Sequence, residues 1–150
     1  VNFWGVLHGI QAFVVTVNSL ASTSVFGTGC DGLAHSTTND PVLGSQTFAY
    51  LVNNVSPISP IAFVAFGVLP FNPGIDLTGI GMPGCFGYHD LAIGLFATGP
   101  VIAGTGSFAL PLPNNPALAG SVLVSQGVAL SLFTPLGLAT SNGLLANLGF

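Results

Sequence analysis

Not one lysine, arginine or glutamate occurs among the 150 residues, and Asp31, Asp40, Asp76 and Asp90 are the only acidic side chains. The three missing types are among the better helix formers on a protein surface, and a single Met does little to replace them. Gly (21) and Pro (11) interrupt the chain at short intervals. No stretch of about 12 residues reads as a capped amphipathic helix. What remains is a chain of strands and turns.

Short β-branched and aromatic runs between turn residues mark those strands. Ile10–Val17 (IQAFVVTV) is the first. Leu43–Asn53 alternates from Ser45 to Val52, with Phe48, Tyr50 and Val52 on one side. Ile61–Leu69 (IAFVAFGVL) is apolar on both faces, as a strand covered on both sides would be. Leu91–Thr98 and Gly104–Leu110 follow. Ser121–Phe133 alternates again, with Gly127 a candidate bulge. Gly137–Leu148 closes the chain, with Ser141-Asn142-Gly143 as its turn signal. Segments 72–84 and 111–117 read as ordered loops. The pattern predicts an all-β protein: an antiparallel β-sandwich, immunoglobulin-like or jelly-roll-like, of roughly seven to nine strands, with an extra N-terminal strand segment. A closed barrel differs from it only in whether the sheet closes. Residues 1–25 read as an extension, and 26–150 as a single domain.

Charged residues make up 3% of the chain and hydrophobic ones 50%. Binding nucleic acid by neutralising phosphates needs Lys or Arg, so that class is excluded; a polybasic hold on anionic lipid is excluded likewise. Ala117–Ala139 carries no charge over 23 residues, long enough for a membrane span. Ser, Thr, Gln, Pro and three glycines interrupt it, and no basic residue flanks it to set an orientation. One Trp and two Tyr are too few for the interfacial girdles of a membrane barrel. Membrane insertion is therefore not expected.

Cys30 and Cys85 are an even, small set. In an exported chain they would pair, worth roughly 2–4 kcal/mol in the chain-entropy picture. Two buried free thiols are the alternative. The start at Val1 rather than Met points to a removed leader or a fragment.

Four motifs then follow in order: Phe26-Gly27-Thr28-Gly29-Cys30-Asp31-Gly32, Gly81-Met82-Pro83-Gly84-Cys85, Leu110-Pro111-Leu112-Pro113-Asn114-Asn115-Pro116-Ala117-Leu118-Ala119-Gly120, and Ser141-Asn142-Gly143-Leu144 ending in Leu148-Gly149. Together they resemble a small Cys-pair β-module of predicted secreted proteins from planctomycetes and similar environmental bacteria, where it often ends long exported chains. The resemblance covers about residues 26–150. It implies a small exported β-domain with Cys30 and Cys85 joined, and it supplies no catalytic residue. Two departures add apolar surface: Leu145 stands where the module has a basic residue, and residues 1–25 have no counterpart.

Candidate sites are sparse. His89-Asp90 is the best acid–base pair, but no G-x-S-x-G elbow accompanies it, and neighbours on a strand face opposite ways. It reads as a loop after Cys85. Asp31, His35 and Asp40 could line an oxygen-rich calcium pocket, but two carboxylates fall short of the usual set, so a polar loop with Asx-turns fits better. Asp76 reads as a turn residue and His8 as a packed or interfacial one. Asn54-Val55-Ser56 is a glycosylation sequon in form, and the Ser/Thr clusters at 22–24 and 36–38 could carry O-linked sugar, so a glycan is the non-protein partner the sequence suggests. No cofactor and no enzymatic activity are expected.

Four carboxylates cannot decorate a whole surface, so the expectation is that other copies of the chain cover it. Ile10–Val17 offers a route: donated to the open edge of a neighbouring sandwich, it would place Phe13, Val15 and Val17, or Ile10, Ala12 and Val14, into that neighbour's core. Ser19–Ser24 would be the connector. The contact is heterologous and propagates as an open homo-oligomer. The expected role is a structural subunit of an extracellular bacterial filament or surface assembly; the alternatives are a secreted module binding the cell envelope or a polysaccharide, and pairing of Ile10–Val17 within its own sheet.

Overall fold

A computed structural model describes residues 20–150. The candidate donor residues Ile10, Ala12, Phe13, Val14, Val15 and Val17, and His8, lie outside them. Ten strands occur among the described residues: β1 (Ser22–Phe26), β2 (Ala34–Thr37), β3 (Ala49–Asn53), β4 (Ile61–Gly67), β5 (Pro70–Asp76), β6 (Phe86–His89), β7 (Gly94–Pro100), β8 (Gly106–Ala109), β9 (Val122–Leu130) and β10 (Leu138–Asn147). All pair antiparallel. A five-stranded sheet runs β1-β10-β9-β4-β7, a three-stranded sheet runs β2-β3-β8, and β5-β6 form a separate two-stranded ribbon.

The fold is thus an all-β antiparallel sandwich, and its core lies where the sequence alternates. Phe48, just before β3, and Tyr50 and Val52 within it pack with Ala62, Val64 and Phe66 of β4, Ala129 of β9, and Leu144 and Ala146 of β10. Tyr50 anchors this layer, meeting Phe48 and Phe66 edge-on at ring separations of 5.0 Å. β4 lies between β9 and β7, and Ala62 and Val64–Gly67 are buried, in keeping with its two-sided apolar pattern.

Three strands escape the apolar pattern for identifiable reasons. β1 (STSVF) holds the sheet's edge with Ser and Thr, so Ser22–Val25 belong to the body and the expected boundary after residue 25 falls inside a strand. β2 (AHST) looks polar because its buried member is His35. β5 contains Pro70, Pro73 and Gly74 and pairs irregularly with β6, a register shift separating Pro70 from Ile75. Residues 72–84 are therefore partly strand rather than loop.

Two glycine-centred expectations change. Gly127 lies across from a bulge rather than carrying it: it keeps regular register with Val64 on the β4 side, while on the β10 side Ser141 and Asn142 together stand opposite it. A Cβ there would come within 2.9 Å of the Val52 side chain, so glycine lets the two sheets approach. The irregularity lies in β10 instead, between Thr140 and Gly143. Ser141-Asn142-Gly143 is thus a bulge inside one continuous strand rather than the turn of a hairpin. Asn142 uses the bulge to reach β2, accepting from the His35 N–H at 2.8 Å and donating to the His35 carbonyl at 3.1 Å.

The outer face of the large sheet is covered at its centre by the β5-β6 ribbon. Gln126, 4% exposed, supplies the clamp. Its Nε2 donates to the Phe86 and Ser141 carbonyls, each at 2.7 Å, and its Oε1 accepts from the Tyr88 N–H at 3.1 Å. The Cys30–Cys85 disulfide, spanning 55 residues, ties the segment after β1 to the start of β6. Tyr88 adds a second tie: its hydroxyl accepts from Thr28 N–H at 2.8 Å and donates to the Thr28 carbonyl at 3.0 Å.

Candidate functional site

The residues that looked chemical in sequence are taken up by structure. Asp90 Oδ1 accepts from the backbone N–H groups of Val68 (2.9 Å) and Leu69 (3.4 Å) and so holds the β4–β5 turn. His89 Nδ1 accepts from Leu91 N–H at 3.0 Å, which leaves the proton on Nε2, a buried atom turned toward the Ala65 backbone without a well-formed hydrogen bond. Burial lowers the His89 pKa against the pull of the Asp90 carboxylate. The histidine ends β6, rather than lying in a loop.

The three candidate calcium ligands do not converge. Asp31 accepts from the Ser131 hydroxyl at 2.7 Å, Asp40 lies 3.5 Å from the Thr23 hydroxyl, and His35 is buried in the core. No group of three or more His, Cys, Asp or Glu able to hold a metal occurs among the described residues. Asp76 does act in a turn: it accepts from the Thr78 N–H and hydroxyl, at 2.8 and 2.6 Å. The sequon amide of Asn54 donates to the Gly32 carbonyl at 3.0 Å.

One pair that sequence reading missed has the form of a nucleophile and base. His35 Nδ1 is 2.9 Å from the Leu51 carbonyl, which only accepts, so the proton sits there. Nε2 then accepts from the Ser125 hydroxyl, also at 2.9 Å. Ser125 is 0% exposed and His35 2%, and the imidazole stacks on Tyr50 at 5.6 Å. No substrate reaches a hydroxyl so enclosed; the pair is a satisfied polar cross-link between the sheets. Burial first, opposed by the Leu51 carbonyl, brings the His35 pKa down to about 4, so the ring is neutral at physiological pH.

The open feature of the molecule is apolar. β7 and β8 end their sheets on the same side of the sandwich and are joined by residues 101–105. Near that turn they approach closely: a Cβ on Gly106 would fall 2.6 Å from the Thr98 hydroxyl. Further along they splay. The gap is a notch of about 210 Å³ lined by Phe66, Ile93, Phe96, Phe108, Leu110 and Leu123. Phe66, Phe96 and Phe108 form a triangle with all three ring separations at 5.7 Å. Not one lining residue is polar. Phe96 and Leu95 of β7 are 40% and 51% exposed. A second apolar tip, in the loop between β9 and β10, bares Leu132 and Phe133 at 76% and 79%.

No helix among the described residues is long and apolar enough to cross a membrane. The disulfide is compatible with an oxidising, extracellular setting. The chain matches no family model, no curated protein and no solved structure.

Proposed function

We propose that the chain is a structural subunit of an extracellular bacterial filament or surface assembly, polymerising through apolar faces by donating its N-terminal strand. What supports this reading is the notch between β7 and β8: an entry to the core, without polar lining, between two strand edges that have no ladder partner on that side among the described residues. Exposed strand edges pair with other chains unless charge, proline or cover protects them. Here no Lys or Arg exists to protect an edge, and β7 presents Leu95 and Phe96 instead. Apolar burial is worth about 25 cal/mol per Å², and little like-charge repulsion opposes association of a chain with four carboxylates.

Binding of a cell-envelope glycan is the weaker reading. Sugar sites combine an aromatic platform with polar partners, whereas this notch offers phenylalanine and aliphatic side chains alone. The resemblance of residues 26–150 to the secreted planctomycete module is what suggests a bacterial, exported setting. Negative-stain microscopy of the native material tests the proposal. Fibres or sheets are expected, and deletion of residues 1–18 is expected to leave a folded, unpolymerised unit. Monodisperse monomers at high concentration would sink it.

A further inference from the structure

Resting on that polymer reading, we infer that the acceptor for Ile10–Val17 is the free edge of β7 in the next copy, with Phe13 seated in the Phe66–Phe96–Phe108 notch. The notch accommodates such an anchor: it holds about 210 Å³, where an apolar cavity of roughly 150 Å³ already admits a benzene ring. Its walls offer edge and face contacts to a fourth ring. Phe13 is the one aromatic residue in the Ile10–Val17 run, so a strand lying on β7 has a single side chain of that shape to offer. The β7 edge supplies unpaired peptide groups beside the notch, so backbone ladder and side-chain pocket lie together, as strand addition requires.

Chain geometry favours an intermolecular contact. β1 and β7 are the two opposite edges of the five-stranded sheet. A strand added beyond β7 lies five strand spacings from β1, about 24 Å. Val17 is five residues upstream of Ser22, the first residue of β1. Five residues reach at most about 18 Å fully extended, without the detour around the sheet. A connector of that length disfavours Ile10–Val17 lying in register on the β7 edge of its own molecule. A donor leaving at the β1 edge and an acceptor at the β7 edge form a head-to-tail contact, which repeats in one direction without closing on itself.

The full-length chain carrying both Phe13→Cys and Phe96→Cys, mildly oxidised and run on a non-reducing gel, tests the assignment. A ladder of covalent multimers that reductant collapses is expected, while each single variant stops at dimers. An internally linked monomer would overturn the inference. Fibres without a ladder would overturn the acceptor assignment and leave the polymer reading standing. A wild-type chain that stays monomeric would overturn both. Because Phe13 lies outside the described body, Phe13→Asp serves as a second probe: with circular dichroism unchanged, the critical concentration for assembly rises about tenfold or more. Unchanged assembly of Phe13→Asp would sink the notch as its seat.

Discussion

The middle of the large sheet and its β7 edge belong to one sheet and are built from opposite materials. At the middle, β9 buries Ser125 on one face and Gln126 on the other, and each polar group finds partners: His35 within the sandwich, Phe86, Tyr88 and Ser141 beneath the ribbon. At the edge, Phe96 and Leu95 stay part-exposed, and the notch holds no polar atom to satisfy. Buried polar groups fix one arrangement because an unpaired one costs about 1–3 kcal/mol. An apolar edge tolerates any apolar visitor of suitable shape. The middle specifies the subunit; the edge is left for something else to complete.

Breaking the middle should be costly. Replacing both cysteines with alanine releases a closure over a 55-residue separation, and the chain-entropy relation puts the loss near 4 kcal/mol. Guanidinium unfolding with and without reductant measures it. Gln126→Leu leaves the Tyr88 N–H and the Ser141 carbonyl without their clamp; a loss of about 3 kcal/mol is expected. Hydrogen exchange should rise first in β5 and β6. An unchanged β5-β6 ribbon would mean that the disulfide and the Tyr88–Thr28 tie hold it without Gln126.

Acid provides a graded probe of the same region. His35 has its pKa lowered from 6.5 to about 4, so the unfolded chain takes up a proton that the folded one refuses. Stability is complete above the unfolded value and falls as pH drops from 6.5 toward 4. By pH 4.5 the linkage relation gives a loss of about 2.5 kcal/mol. His89 is shifted the same way and adds to the slope. Asp76, held low by Thr78, and Asp90, held low by the Val68, Leu69 and Ala92 N–H groups against its partial burial, act only near and below their ordinary value of 3.8. A His35→Phe variant should therefore show a flatter midpoint against pH between 7 and 4.5, whatever its absolute stability.

The edge should respond in the reverse sense. Leu95 is half exposed, so Leu95→Thr should change subunit stability by no more than about 0.5 kcal/mol. Its effect belongs in self-association, read by sedimentation. A large fall in the unfolding midpoint would mean that the β7 edge is part of the core after all, and the contrast would be lost.

Much of the fold was legible in local pattern. The scarcity of charge and of helix formers, and the alternation around Phe48, Tyr50 and Val52, point to an all-β sandwich, because side-chain period and burial are local properties of a strand. The strands that stayed hidden, β1, β2, β5 and β6, carry Ser, Thr, Pro and a buried histidine. Their place depends on distant partners: His35 reads as loop chemistry until Ser125 and Leu51, 90 and 16 residues away, satisfy it. Gly127 and Ser141-Asn142-Gly143 could be recognised as special but not interpreted. Whether a glycine marks a turn, a bulge or a close approach depends on what lies across the sheet.

What the sequence alone determined is the kind of surface: with four carboxylates and no Lys or Arg, no arrangement of this chain could present a charged exterior. Where the uncovered apolar area would lie was decided only in three dimensions. One part of it forms a notch because β7 and β8 are close where Thr98 faces Gly106 and part where Phe96 faces Phe108, while another lies at the Leu132–Phe133 tip. That separation is set by the bulk of the side chains each sheet brings to the gap, and no single strand carries it.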